Sequence, residues 1–317
     1  MRKLLTLGIC GVLALGAAAC GDDDDNGGNG GGGGGGDLSG TIRVDGSSTV
    51  APLTESAAEL FQAENPDVRV TVGTSGTGGG FEKFCAGETD ISDASRAIED
   101  DEVALCKKNG VDYEEIQVAN DGLTVVVNPN NDFATCLTVD ELKKIWEPKS
   151  KVKNWNQVKA DFPDEEMELF GAGTDSGTFD YFTEAINGEE GASRTDYNAT
   201  EDDNVTVQGV QGSDGGIGYF GLSYAEQNPD AVKPVEVDGG DGCVAPSSET
   251  VQDGTYKPLS RPLFIYPSAK ALKRPEVKAF IESYLENQAQ ITEQALFVPM
   301  TDEQLTESQD KVAKLAG

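Results

Sequence analysis

Three short stretches rich in serine, threonine and glycine stand where helices are expected to begin. They are Gly46-Ser47-Ser48-Thr49, Gly76-Thr77-Gly78-Gly79-Gly80 and Asp175-Ser176-Gly177-Thr178. The first turn of a helix leaves backbone N–H groups unpaired and carries a partial positive charge, so it attracts anions. Hydroxyl side chains add donors, and glycine lets the backbone come close to a ligand. One such turn is ordinary capping. Three in one chain point to the enclosure of a tetrahedral oxyanion.

Charged residues refine that chemistry. In Asp90-Ile91-Ser92-Asp93-Ala94-Ser95-Arg96, an arginine ends a short apolar stretch. A surface ion pair is the plain reading of Arg96; the alternative is a guanidinium that grips an oxyanion through two parallel hydrogen bonds. Asp175 is its acidic counterpart, expected to orient Arg96 or to accept a hydrogen bond from a protonated ligand. Other chemistries fit poorly. The Gly76–Gly80 run lacks the lysine of a G-x-x-x-x-G-K-[ST] loop, and G-x-G-x-x-G fails because Phe81 occupies its last glycine position, which speaks against a nucleotide. Ser176 has no histidine to activate it, since the chain contains none, and no G-x-S-x-G elbow surrounds it. The absence of histidine and of C-x-x-C also argues against a metal such as zinc. Trp146, Trp155 and the helically spaced phenylalanines read as core.

Stepping outward along the chain, residues 1–20 have the organisation of a bacterial export signal: Arg2 and Lys3, an apolar Leu4–Leu15 segment too short to cross a bilayer, then Ala17-Ala18-Ala19-Cys20. The ending resembles a lipobox with Ala17 in place of the usual leucine, so Cys20 is expected to be acylated and to anchor the chain to the cell membrane on its extracytoplasmic side. Residues 21–37, with Asp22–Asp25 and a glycine run, read as a solvated tether. Asp22, Asp24, Asn26 and Gly27 match half of an EF-hand loop, but Gly33 stands where its twelfth-position acid is required. The formal charge of −32 becomes −34 without residues 1–20, which argues against nucleic acid and against charge-driven binding to anionic lipid. An anion site in such a chain must work through short, desolvated hydrogen bonds. Cys85, Cys106, Cys136 and Cys243 remain, an even number that suggests two disulfides among three pairings.

The positioning elements alternate between strand and helix, giving an α/β class. Strands are expected at Thr41–Val44, Val68–Val72, Leu123–Val127, Glu168–Gly171, Gly216–Phe220 and Pro262–Tyr266, with Asp90–Ser92 leading to another strand end and Val205–Val210 as strand or turn. Helices are expected at Pro52–Glu64, Gly79–Ala86, Val277–Leu285 and Glu293–Leu296. Another is expected at Thr138–Trp146, where Thr138 and Glu141 form a capping box, and one more follows the Asp175–Thr178 turn.

In order along the chain, Gly46-Ser-Ser-Thr-Val-Ala-Pro52, Gly76-Thr-Gly-Gly-Gly-Phe81, Asp90–Arg96, Asp175-Ser-Gly-Thr-Phe179, Gly216-Ile-Gly-Tyr-Phe220 and Pro258-Leu-Ser-Arg-Pro-Leu-Phe264 resemble the phosphate-binding lipoproteins of Pst-type ABC importers. The likeness runs from about Leu38 to the C-terminus. It implies a type II, periplasmic-binding-protein-like fold with mixed sheets: lobe 1 at 38–124 and 260–317, lobe 2 at 125–259, and two strands crossing between them. Inorganic phosphate would bind in the cleft without a cofactor and pass to membrane-embedded permease subunits. Ser48, Thr49 and Thr77 match family ligand positions in lobe 1, and Ser176, Gly177 and Thr178 match those in lobe 2. Better-known proteobacterial members carry Asp where this chain has Ser95 and Arg where it has Ala172. Ser95 therefore joins the expected ligand set, and Arg96 and Asp175 would supply the same charges from exchanged lobes. The resemblance also implies Cys85–Cys106 and Cys136–Cys243 pairing. An ionised Asp175 would favour phosphate over sulfate by accepting its proton. The alternatives are a binding protein for sulfate, molybdate or tungstate, or a secreted phosphatase, against which the lack of a nucleophile–base pair and of a clustered metal site counts.

Overall fold

The protein is described by a computed structural model covering residues 38–316. The export signal at 1–20, Cys20 and the tether at 21–37 lie outside the described residues.

Among the described residues, twelve strands form two sheets. The strands are β1 (Gly40–Gly46), β2 (Val68–Gly73), β3 (Ile91–Ala94), β4 (Ile116–Val127), β5 (Cys136–Thr138), β6 (Glu168–Ala172), β7 (Asn198–Thr200), β8 (Gly216–Gly221), β9 (Lys233–Pro234), β10 (Glu236–Asp238), β11 (Cys243–Val244) and β12 (Ser260–Pro267). The larger sheet runs β2-β1-β3-β12-β4-β8-β6-β7, with β9 pairing β4; β11-β10-β5 form the smaller one. β1, β2 and β3 are parallel, as are β6, β7 and β8, whereas β12 runs antiparallel to its neighbours β3 and β4, and β4 antiparallel to β8. The two parallel groups are thus joined by a central antiparallel pair. In sequence only Leu123–Val127 announces β4, because its first half carries Asn120 and Asp121; both are buried, and the strand reaches back to Ile116.

Two large apolar clusters follow the same division. One draws on residues 42–119 and 263–312, including Ile42, Phe61, Ile116, Leu263 and Phe280. The other draws on 123–259 with Val298, including Leu123, Trp146, Trp155, Phe182 and Tyr219. β4 contributes to both, with Ile116–Ala119 in the first and Leu123–Val127 in the second. The architecture is a two-lobe α/β fold bridged by β4 and β12.

Helices α1 (Ala51–Glu64), α2 (Thr77–Cys85), α3 (Asp100–Asn109), α4 (Val139–Trp146) and α5 (Gly177–Phe182) carry the features relevant to the site. Thr138 caps α4 through the expected box with Glu141. The segment expected as strand or turn at Val205–Val210 is instead inside a helix, Asp203–Gly212. Its valines imitate a period of two, but Val205 is half exposed while Thr206, Val207 and Val210 are buried, a helical spacing started by the Asp202 side chain accepting from the Asn204 N–H. Both disulfides pair as the resemblance implied, Cys85–Cys106 and Cys136–Cys243. Among the described residues, no helix is long and apolar enough to cross a membrane.

Candidate functional site: a donor-lined cleft

The strand ends explain why three helix starts meet. β1 and β3 are in register at Gly46 and Asp93. Gly46 has φ of 149°, and a Cβ there would stand 2.1 Å from the Asp93 carbonyl oxygen. A Cβ on Gly80 would stand 2.5 Å from the Gly46 Cα. Glycine at both positions lets α2 lie directly on the end of β1, which brings its N-terminus beside the Ser47–Thr49 turn.

In that turn the Ser47 N–H donates to the Asp93 carbonyl at 2.9 Å. The Ser47 hydroxyl accepts from the N–H groups of Thr49 and Val50. Ser47 is therefore a cap, and Ser48 and Thr49 are left to face the cleft. Thr77 opens α2 and accepts from the Ser95 N–H at 3.2 Å; the two hydroxyls lie 3.0 Å apart. From the other lobe, Ser176 caps α5 by accepting from the Thr178 N–H at 3.1 Å.

These parts enclose a cleft of about 600 Å³ lined by Ser48, Thr49, Thr77, Ser95, Arg96 and Gly177 among others. The lobes touch there: a Cβ built on Gly177 would lie 2.5 Å from Thr49 Oγ1. Ser176 and Thr178 flank Gly177 at the α5 start, but of the three only Gly177 lines the cleft. Asp175 is exposed and outside the lining, with its N–H donating to Glu201 Oε1 at 3.4 Å. The expected pairing of Arg96 with Asp175 does not form. Arg96 reaches the cleft but is held by Glu102 through two hydrogen bonds of 2.9 and 2.8 Å, and by Glu99 at 3.2 Å. Glu102 lies in the first turn of α3, near enough in sequence to pair with Arg96.

The residue that the sequence reading left unassigned is Arg261. It stands at the start of β12, directly opposite Asp121 of β4. Its Nε donates to Asp121 Oδ2 at 3.1 Å, its Nη2 donates to Thr49 Oγ1 at 3.2 Å, and its guanidinium lies 3.6 Å above the Tyr181 ring. The Arg261 side chain is only 13% exposed, so its charge works in a weakly screened setting. Burial pushes the Asp121 carboxyl up, and Arg261 opposes that shift. Tyr181 is fixed in turn by its hydroxyl donating to the Pro258 carbonyl at 2.8 Å. Asp180, Glu184 and Glu190 add an acidic edge from the α5 side. The sequence signal for Arg261 was available in the Pro258–Phe264 motif: a cation opening an otherwise apolar strand, as Arg96 closes one.

A family model described as a PBP superfamily domain matches residues 32–287. The SphX protein of Synechocystis sp. is 48% identical over 268 residues, covering 84% of this chain and 80% of its own. The phosphate-binding protein PstS of Staphylococcus saprophyticus is 42% identical over 280 residues, covering 88% and 86%. A crystal structure from Planctomyces limnophilus, described as a possible phosphate binding protein, superposes with a TM-score of 0.85 at 50% identity, covering 88% of this chain and all of that one. The chain belongs to the PBP superfamily, and within it to the family of the PstS phosphate-binding proteins.

Proposed function

We propose that the protein is an extracytoplasmic receptor that binds inorganic phosphate in the cleft and delivers it to the permease of an ABC importer. The observation that carries this reading is the convergence of three helix starts and the buried, forked donor Arg261 on one cleft. Hydroxyls and N–H groups of Ser48, Thr49, Thr77, Ser95, Ser176, Gly177 and Thr178 would surround the anion, and Arg261 would supply the positive charge from the floor. The named function of the PstS relative supports the choice of phosphate. In this reading lobe 1 comprises 38–124 and 260–317, lobe 2 comprises 125–259, and β4 and β12 act as the hinge; the division of the two apolar clusters supports those boundaries. The chain would be exported and held to the membrane through acylated Cys20, with residues 21–37 as tether and no cofactor.

Calorimetric titration of the mature protein with phosphate tests the reading. One saturable site per chain is expected, with sulfate, molybdate and tungstate failing to compete at equal concentration. No phosphate binding would refute it, and mass spectrometry of the mature N-terminus checks Cys20.

A further inference from the structure

The two large apolar clusters meet halfway along β4, at residues that are polar yet buried. Ala119 belongs to the first cluster and Leu123 to the second, with Asn120, Asp121 and Gly122 between them. Successive side chains of a strand point to opposite faces. Asp121 turns toward Arg261, which lines the cleft, so Asn120 and Gly122 face the back of the sheet. Two segments cover that back. Helix Ser248–Gln252 comes from the side of the second cluster, in which its Val251 is buried. A Cβ on Gly122 would stand 2.5 Å from Val251 Cγ2, so glycine lets this helix lie on the strand. Residues 296–304 are the other segment, leaving helix Gln288–Ala295 and running into helix Asp302–Ala316.

That second segment is bound to both clusters at once. It begins at Leu296, whose φ of 62° is left-handed and unfavourable for a bulky side chain. β12 pairs with Asn120 from one side and Val298 from the other, the latter exchanging both backbone hydrogen bonds at 2.9 and 3.0 Å. Val298 is buried in the second cluster and Met300, two residues on, in the first. Side-chain amides tie the rest. Asn120 Nδ2 donates to the Pro299 carbonyl and to Gln304 Oε1, both at 3.1 Å. Gln252 Nε2 donates to the same Pro299 carbonyl at 2.9 Å, and Gln304 Nε2 donates back to the Gln252 carbonyl at 3.0 Å. Resting on the receptor reading and its two lobes, we propose that residues 296–304 form a strap behind the hinge. In it Gln252 of lobe 2 and Gln304 of lobe 1 tie the lobes together and hold the cleft in the narrow arrangement, with its walls meeting at Gly177 and Thr49. Neither glutamine lines the cleft. Bending β4 and β12 to open it carries helix Ser248–Gln252 with lobe 2 and leaves the strap with lobe 1, so the bonds between them are exchanged for bonds to water. The apparent affinity for phosphate then follows the fraction of receptor in the narrow arrangement.

Gln304 also caps its own helix, its Oε1 accepting from the Thr301 N–H at 3.0 Å, and the variants separate that duty from the tie. Gln304→Glu keeps the acceptor for Thr301 and Asn120 and deletes the donor to lobe 2. Gln304→Met deletes all of these bonds at similar volume, and Gln252→Ala cuts the bond to Pro299. Two measurements on the mature protein read the outcome. One is calorimetric titration with phosphate; the other is the distance between spin labels on Glu64→Cys of lobe 1 and Lys151→Cys of lobe 2, both exposed positions. In Gln304→Glu and in Gln252→Ala, affinity should fall about 2- to 10-fold, the net worth of one hydrogen bond. The double variant should fall further. The label distance should shift in the phosphate-free variants and return to the wild-type value when phosphate saturates them. A Gln304→Glu protein that binds like wild type while Gln304→Met binds weakly would reduce Gln304 to a helix cap. Tighter binding in these variants would show that the ties hold the cleft open, and unchanged affinity and distance in all of them would overturn the strap, either result leaving the receptor reading intact. Absence of phosphate binding by the wild-type protein would overturn the receptor reading, and the label distances alone would then decide the strap.

Discussion

The floor of the cleft and its lobe 1 wall each hold an arginine and a buried aspartate, and the two regions use them in opposite ways. On the floor, Arg261 and Asp121 are register partners on the crossing strands, and each compensates the other's burial. Arg261 still has a donor for Thr49 and a face for Tyr181. On the wall, Arg96 is wrapped by Glu102 and Glu99, while Asp93, buried at the end of β3 with Thr54 of α1 beside it, has no cation as partner among the described residues. A charge is available to a ligand only where its own counter-ion leaves a donor pointing into the cleft. By that criterion the floor binds and the wall shapes.

Arg261→Ala should break the comparison most visibly. Loss of a buried charge-assisted donor is expected to weaken phosphate binding by about 100-fold or more. It also leaves Asp121 buried without its cation, which should cost ~3–5 kcal/mol in denaturant-induced unfolding. Arg261→Lys keeps the charge and separates the effects: stability should recover more than affinity, because the fork to Thr49 and the stacking on Tyr181 are lost. Full affinity in Arg261→Ala, measured by calorimetry, would return the cation's role to Arg96.

Gly177→Ala probes where floor and wall meet. The added methyl would stand 2.5 Å from Thr49 Oγ1 across the cleft. Affinity should fall about 10- to 100-fold while unfolding changes little, since closure and not folding is obstructed. A matching loss of thermal stability would show that Gly177 serves the fold of its own lobe.

These contrasts explain how far the chain could be read in advance. The Ser/Thr/Gly turns were legible because capping is a local property, carried by neighbours such as Ser176 and Thr178. The α/β alternation was legible from period, except at Asp203–Gly212, where alternating valines concealed a helix. Pairing across long separations was not legible. Nothing local links Arg261 to Asp121, 140 residues apart, whereas Glu102, six residues from Arg96, was a competitor for it visible in the sequence. The ordered motifs identified the correct family, yet the charges were placed by tertiary register.

Asp93 sharpens the contrast between a compensated and an uncompensated acid. Burial, with Asp45 and Glu55 nearby, raises its carboxyl to about 8, only partly opposed by Thr54. In the unfolded chain it would titrate near the usual ~3.9. The folded state therefore holds its proton longer, and stability is lost as pH rises through the interval between those values, at ~1.4 kcal/mol per unit, then levels off. Asp93→Asn removes the titration. The variant should match wild type near pH 4 and exceed it progressively up to about pH 8. Denaturant unfolding across that range checks the sign, and a variant less stable than wild type at pH 8 would show that the ionised carboxylate has a partner in solution.

Arg96→Ala should have the smallest effect, and its smallness is informative. Removing the guanidinium deletes a charge already cancelled by Glu102 and Glu99, so direct loss of attraction for phosphate should be slight. It also releases those two carboxylates beside the cleft, which adds some repulsion. The net change in affinity should be under about tenfold, within the range of a partly exposed ion pair. Because the released charges are screened, raising the salt from low to physiological strength should recover most of the loss. Arg261→Ala, whose deficit arises in a site only 13% exposed, should recover little. If salt restored Arg261→Ala and not Arg96→Ala, the division between a binding floor and a shaping wall would be reversed, and the carboxylates of α3 would have to be counter-ions that a bound phosphate displaces.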